Sequence, residues 1–132
     1  MPSRSIQTGT VATSAAARAH FSQKLRFETD CADVHGALEA GNPDFVLLDV
    51  RSPKLFAAGH IPHARHCPRD QISRGDLPPL PEGAIYVVYC AGPHCNGATK
   101  AALELATAEL PVKEMIGGIE GWKDEGYDLV TE

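Results

Sequence analysis

The chain has 132 residues, is 43% hydrophobic and 22% charged, and carries a formal net charge of −5. That length suffices for one domain with a real core, and the composition is that of an ordinary soluble protein. The acidic balance argues against a nucleic-acid partner, and no apolar run is long enough to span a membrane.

In chain order, residues 1–12 read as a flexible N-terminus and residues 13–132 as one domain. The first residues hold no apolar stretch of the kind a secretory signal needs. Ser14–Leu25 is rich in helix formers and reads as a docking helix, followed by a short strand over Arg26–Thr29. Asp30 caps a helix over Cys31–Ala40 that ends at Gly41. Asn42-Pro43-Asp44 is a turn, and Phe45–Val50 is a strand. Ser52 caps a short helix that Pro53 opens and Lys54–Ala58 continues. Gly59–Pro62 is a loop, Ala64–Cys67 a short strand, Arg69–Leu77 a helical turn, and Pro78–Gly83 a surface linker.

The most informative stretch is YVVYCAGPHCNGATKAA, Tyr86–Ala102. Val87, Val88 and Tyr89 predict a buried parallel strand ending on Cys90. Ala91, Gly92, Pro93, His94, Cys95, Asn96 and Gly97 form a loop of small residues. Ala98, Ala101, Ala102 and Leu105 then recur at helical spacing up to about Leu110, where Pro111 stops the helix. Val112–Ile116 is a last strand, and Gly117-Gly118 leads into a terminal helix around Ile119–Glu125. Strands alternating with helices predict a parallel α/β sheet, whose sites lie beyond the carboxyl ends of the strands.

Cys90 therefore sits at a strand end, ahead of a loop that becomes a helix N-terminus. Unpaired amides and the helix dipole favour an anion there, so the expectation is a thiolate near neutral pH, cradled by the loop backbone. Cys31, Cys67, Cys90 and Cys95 form no C-x-x-C pair and no disulfide framework, and the chain reads as cytoplasmic with reduced thiols. Cys31, in a first helical turn, reads as packing. His60, His63, His66 and Cys67 are metal-ligand types, but their run crosses Pro62 and a strand, where side chains diverge. They read as solvent-facing residues beside a site, and neither a metal nor another cofactor is expected.

Three segments, LLDVRSPKLFAAGHIPHA (Leu47–Ala64), VVYCAG (Val87–Gly92) and MIGGIEGWKDEGY (Met115–Tyr127), together resemble the rhodanese-like (sulfurtransferase) domain family. The resemblance covers nearly all of Arg26–Val130 and suits a single-domain member. It implies a three-layer α/β fold, with a five-stranded parallel sheet flanked by helices. It also implies transfer of a sulfane sulfur, through a Cys90 persulfide, from a small donor such as thiosulfate to cyanide or a thiol, a protein thiol included. The loop residues Ala91–Gly97 would stabilise the anion. Asp49 and Arg51 match the family's D-V-R, with Arg51 bracing the loops by bidentate pairing rather than reacting. His60 in G-H-I-P reads as structural, and Trp122 as core.

Three departures from the family pattern stand out. Cys90–Lys100 reads as a longer loop and a wider pocket, with Asn96 where C-x₅-R phosphatases carry arginine. A Cdc25-like phosphatase or arsenate reductase therefore ranks behind sulfur transfer. Cys95 has two readings: a resolving thiol for Cys90, or a small residue packed under the loop. His63 stands where the turn usually has glycine, at a cost if the backbone there is left-handed. The remaining alternative is a non-catalytic binding or regulatory module, against which the presence of Cys90 argues.

Overall fold

The protein is described by a computed structural model covering residues 6, 7 and 9–132. Residues 1–5 and 8, part of the stretch read as flexible, lie outside the described residues. The elements are α1 (Ser14–Phe27), β1 (Glu28–Asp30), α2 (Cys31–Glu39), β2 (Phe45–Asp49), α3 (Pro53–Ala58), β3 (Arg65–His66), α4 (Arg69–Ser73), β4 (Ile85–Tyr89), α5 (Gly97–Thr107), β5 (Val112–Ile116) and α6 (Gly118–Asp124). The five strands form one parallel sheet in the order β1-β5-β4-β2-β3. No helix among the described residues is long and apolar enough to cross a membrane.

The alternation of side chains along β2 and β4 builds a core on each face of the sheet. Leu47, Val87 and Tyr89 point one way, into a cluster with Val34, Phe56, Ile119 and Trp122. Leu48, Tyr86, Val88 and Cys90 point the other way, against Ile72, Ala98, Ala101 and Leu105. Both faces of β4 are covered, one by each cluster, which is why its apolar run is continuous rather than alternating.

Several boundaries differ from the sequence reading. α1 runs on to Phe27, so β1 is Glu28–Asp30 rather than Arg26–Thr29. No residue of α1 is buried, although Lys113 Nζ reaches the Leu25 carbonyl at 2.9 Å. α4 stops at Ser73, ahead of Gly75 in the left-handed region at φ +74°. α5 stops at Thr107, before Leu110: Glu109 turns left-handed (φ +64°), and the Leu110 amide bonds back to the Leu105 carbonyl at 3.0 Å. That is a Schellman-type ending, made here without glycine.

His63 is left-handed, with φ +71°, and its side chain is exposed. Histidine in this region carries strain that glycine lacks, partly offset by glycine's larger loss of chain entropy. We expect His63→Gly to stabilise the fold by about 0.5–1 kcal/mol, seen as a higher urea midpoint with an unchanged slope.

Candidate active site

Cys90 follows β4 directly, at the carboxyl end of an inner strand, and its side chain is 5% exposed. The backbone is held from both sides. The Val50 amide bonds to the Tyr89 carbonyl at 3.2 Å, while Ile119 and Glu120, in the first turn of α6, donate to the carbonyls of Cys90 (3.0 Å) and Ala91 (2.9 Å). This close approach depends on Gly118, which has φ +58°. A Cβ there would stand 2.4 Å from the Cys90 oxygen and 2.8 Å from the Gly92 nitrogen. The Cys95 amide closes the loop on the Gly92 carbonyl at 3.0 Å.

The loop is shorter than the sequence suggested. Gly97 is the first residue of α5, so the connection from Cys90 ends at Asn96 and does not extend to Lys100. Asn96 caps α5 by position, but its side chain makes no capping bond. The free amides of the first turn face sulfur instead. Gly97 N–H points at Cys95 Sγ, 3.4 Å away, and the Gly92 and Ala98 amides face Cys90 Sγ.

The Cys90 thiol donates to the Cys95 carbonyl at 3.4 Å, and the two neighbouring thiols divide the electrostatics unevenly. Burial pushes the Cys90 thiol up and its bond to Cys95 adds to this, while the Ala98 and Gly92 amides pull it down without prevailing. Cys95 is exposed; the hydrogen bond from Cys90 lowers it most, and the Gly97 amide helps. The expectation of a resting Cys90 thiolate is thereby corrected. Burial outweighs the cradle at Cys90, and the anion is favoured on Cys95. Nor is Cys95 packed under the loop. Of the other expected loop residues, Gly92 is buried, Ala91 and Gly97 are half-buried, and Pro93, His94 and Asn96 are exposed.

A cleft of about 480 Å³ opens beside Cys90, lined by Gly92, Pro93 and Ala98 on the loop side. Across it lie Gly117, Gly118 and a second thiol, Cys31, with the carboxylates Asp30, Glu114 and Glu125 completing the wall. None of the described residues lining it is cationic. Cys31, expected from the sequence to be a packing residue, follows the end of β1 as Cys90 follows β4. Its thiol points to the carbonyls of Gly118 (3.5 Å) and Ile116 (3.7 Å). Burial, then Asp30 and Glu125, push it up to about 11.

Asp49 and Arg51 do not line this cleft. Arg51 Nε and Nη2 bond to Asp49 at 3.0 and 2.7 Å, and Nη2 also reaches the Gly59 carbonyl at 2.6 Å. Arg51 thus joins the Asp49 carboxylate to the loop at Gly59. His60 is buried rather than solvent-facing, stacked on Phe56 with its Nδ1 2.8 Å from the Phe56 carbonyl. His66 is half-buried against the Arg51 carbonyl, and Cys67 is in the core. Trp122 is buried, donating to the Asp128 carbonyl at 2.9 Å.

A family model described as the Rhodanese-like domain matches residues 30–125. An uncharacterized protein of Synechocystis sp., slr1261, is 32% identical over 85 residues, which are 64% of this chain. The match spans only 46% of that relative's length. The crystal structure of the BH2092 protein from Bacillus halodurans superposes with a TM-score of 0.85 at 36% identity, covering 90% of this chain and 87% of that one. A thiosulfate sulfurtransferase from Pseudomonas aeruginosa superposes with a TM-score of 0.69 at 22% identity, over 89% of this chain and 22% of its own. At that identity the likeness is one of fold.

Two outcomes follow from this geometry. Gly118→Ala adds a methyl group against backbone at a left-handed position, and we expect a loss of about 3 kcal/mol in urea unfolding. In iodoacetamide labelling at pH 8, Cys95 reacts first and Cys90 after it. Cys31 and Cys67, each raised to about 11, are on the order of a thousandth ionised at that pH and label last. Peptide mass spectrometry over a time course reads the order.

Proposed function

The chain belongs to the rhodanese-like domain family, and we propose that it is a sulfurtransferase working through a persulfide on Cys90. The observation that carries this reading is the placement of Cys90: a thiol at the end of an inner strand, facing two backbone amides and an open cleft.

In the first half-reaction, Cys90 thiolate attacks the sulfane sulfur of a donor such as thiosulfate. A sulfur–sulfur bond forms to Cys90 Sγ, the bond to the sulfonate sulfur breaks, and sulfite leaves with its electron pair. In the second, cyanide or a thiol attacks the outer sulfur and Cys90 thiolate is released. The high resting pKa of Cys90 suits this sequence. Burial penalises charge on Sγ itself, and adding a sulfur moves that charge one atom outward, so the persulfide gains more from deprotonation than the thiol does. The amides of Gly92 and Ala98 supply fixed dipoles to the sulfur anion without reorganising.

Phosphoryl transfer is disfavoured by the lining of the cleft. No described residue in it is an arginine, and Asn96 occupies the position from which such a clamp would reach. We place the enzyme in a reducing, cytoplasmic setting, consistent with four free cysteines.

The test is sulfite release from thiosulfate, with thiocyanate formation when cyanide is added. Wild-type protein releases one sulfite per chain without an acceptor and turns over with one. Cys90→Ser loses both by on the order of a thousandfold or more, while Cys67→Ala keeps them. If thiosulfate and inorganic polysulfide both leave the wild-type protein unmodified, with Cys90 still open to alkylation, the domain is a binding module.

A further inference from the structure

The second sulfur in the cradle is not used by the reaction above. A Cβ placed on Gly97 would lie 3.5 Å from Cys95 Sγ and 3.9 Å from Cys90 Sγ, so the two sulfurs flank one point at the start of α5. They share the same nest of amides, Gly97 serving Cys95 while Gly92 and Ala98 serve Cys90. Cys90 is buried at 5% exposure, whereas Cys95 is exposed.

Resting on the persulfide reading, we propose that Cys95 is the resolving thiol of the site, converting the Cys90 persulfide into a Cys90–Cys95 disulfide and free hydrosulfide. Cys95 thiolate attacks Cys90 Sγ, the inner sulfur of the persulfide, once the outer sulfur has taken a proton from water in the cleft. The Cys95–Cys90 bond forms, the bond to the outer sulfur breaks, and hydrosulfide leaves with the electron pair and the persulfide proton. The sulfane sulfur is reduced by two electrons, and the two cysteines are oxidised by two. A thiol reductant then opens the disulfide by exchange: two thiols become one disulfide, and both cysteines return to the reduced state. The activity added to the protein is thus release of hydrosulfide at the expense of cellular thiols, with no external sulfur acceptor.

Two features of the site favour this route. The attacking sulfur receives the Gly97 amide, which stabilises its anion and stays in place when Cys90 carries the extra sulfur. Attack on the inner sulfur expels a small anion into the open cleft beside Cys90. Cys31, the other thiol on the cleft, is unsuited to the role, since its proton is engaged by carbonyls and burial holds it un-ionised.

The experiment compares wild-type protein with Cys95→Ser and Cys95→Ala. Each is loaded with thiosulfate, with sulfite measured as the record of loading. Each is then desalted anaerobically and left without added thiol. The wild type is expected to release about one hydrosulfide per chain and to end two hydrogens lighter than the reduced protein, with the Cys90 and Cys95 peptides linked after digestion. Both variants are expected to keep the added sulfur at least about tenfold longer. A wild-type protein that holds its sulfur as long as the variants do, or a disulfide joining Cys90 to Cys31, overturns the proposal and leaves sulfur transfer standing. Absence of sulfite from all three proteins overturns sulfur transfer itself, and this proposal with it.

Discussion

Asp49 is shut off from water, and a carboxylate there is tolerable only because its acceptor positions are filled. One oxygen takes the Arg51 amide and Nε, both at 3.0 Å, and the other takes Arg51 Nη2 and the Tyr89 hydroxyl, both at 2.7 Å. The Tyr89 oxygen in turn accepts the Ile61 amide at 3.2 Å, and Arg51 bonds onward to the Gly59 carbonyl. One carboxylate thereby ties the ends of β2 and β4 to the turn that follows α3. Tyr89 immediately precedes Cys90, so the position of the sulfur is inherited from this network on one side of β4. On the other side it is set by the α6 amides that grip the Cys90 and Ala91 carbonyls.

The positive potential at the sulfur comes from backbone dipoles, with Lys100 as a distant helper to Cys95. The cleft wall beyond it carries carboxylates, and the chain as a whole is acidic. Dipoles act over a few ångströms, whereas charges reach across a Debye length of roughly 8–10 Å at moderate salt. Under the proposed function, an anionic donor approaching this site is resisted at long range and held only on contact, by its fit to the cradle.

Much of this was legible in the chain. The β-branched run ending on Cys90, the apolar strand ending on Asp49 and the Ser52-Pro53 helix start are local signals, and the elements formed where those signals stood. The pairing of Arg51 with Asp49 was an expectation of the family resemblance, and in the structure the two side chains meet at 2.7 Å. What stayed hidden was tertiary. That Cys31 faces the same cleft depends on β1 lying beside β5 at the sheet edge, and strand order is not written in any single segment. Gly118 reads locally as a helix start, while its demand for glycine comes from the Cys90 backbone pressed against it. The protonation of Cys90 was misjudged because the loop's composition reveals the amides but not the burial that opposes them, nor which sulfur each amide faces.

The same contacts explain how one short loop accommodates two thiols of different character. From Cys90 to Gly92 the backbone is pinned between β4 and α6, and a Cβ on Gly92 would press on Glu120 at 3.1 Å. Past Gly92 the loop turns outward through exposed Pro93, His94, Cys95 and Asn96, and returns to register only at the half-buried Gly97. The first sulfur is therefore fixed by the core, where displacement would break sheet and helix contacts together. The second sits on the exposed part of the loop, held by the Cys95 amide on the Gly92 carbonyl rather than by the core. A buried, immobile sulfur that receives a group and an exposed neighbour able to close on it are the mechanical requirements of a resolving pair. The boundary between core-bound and exposed backbone falls between them.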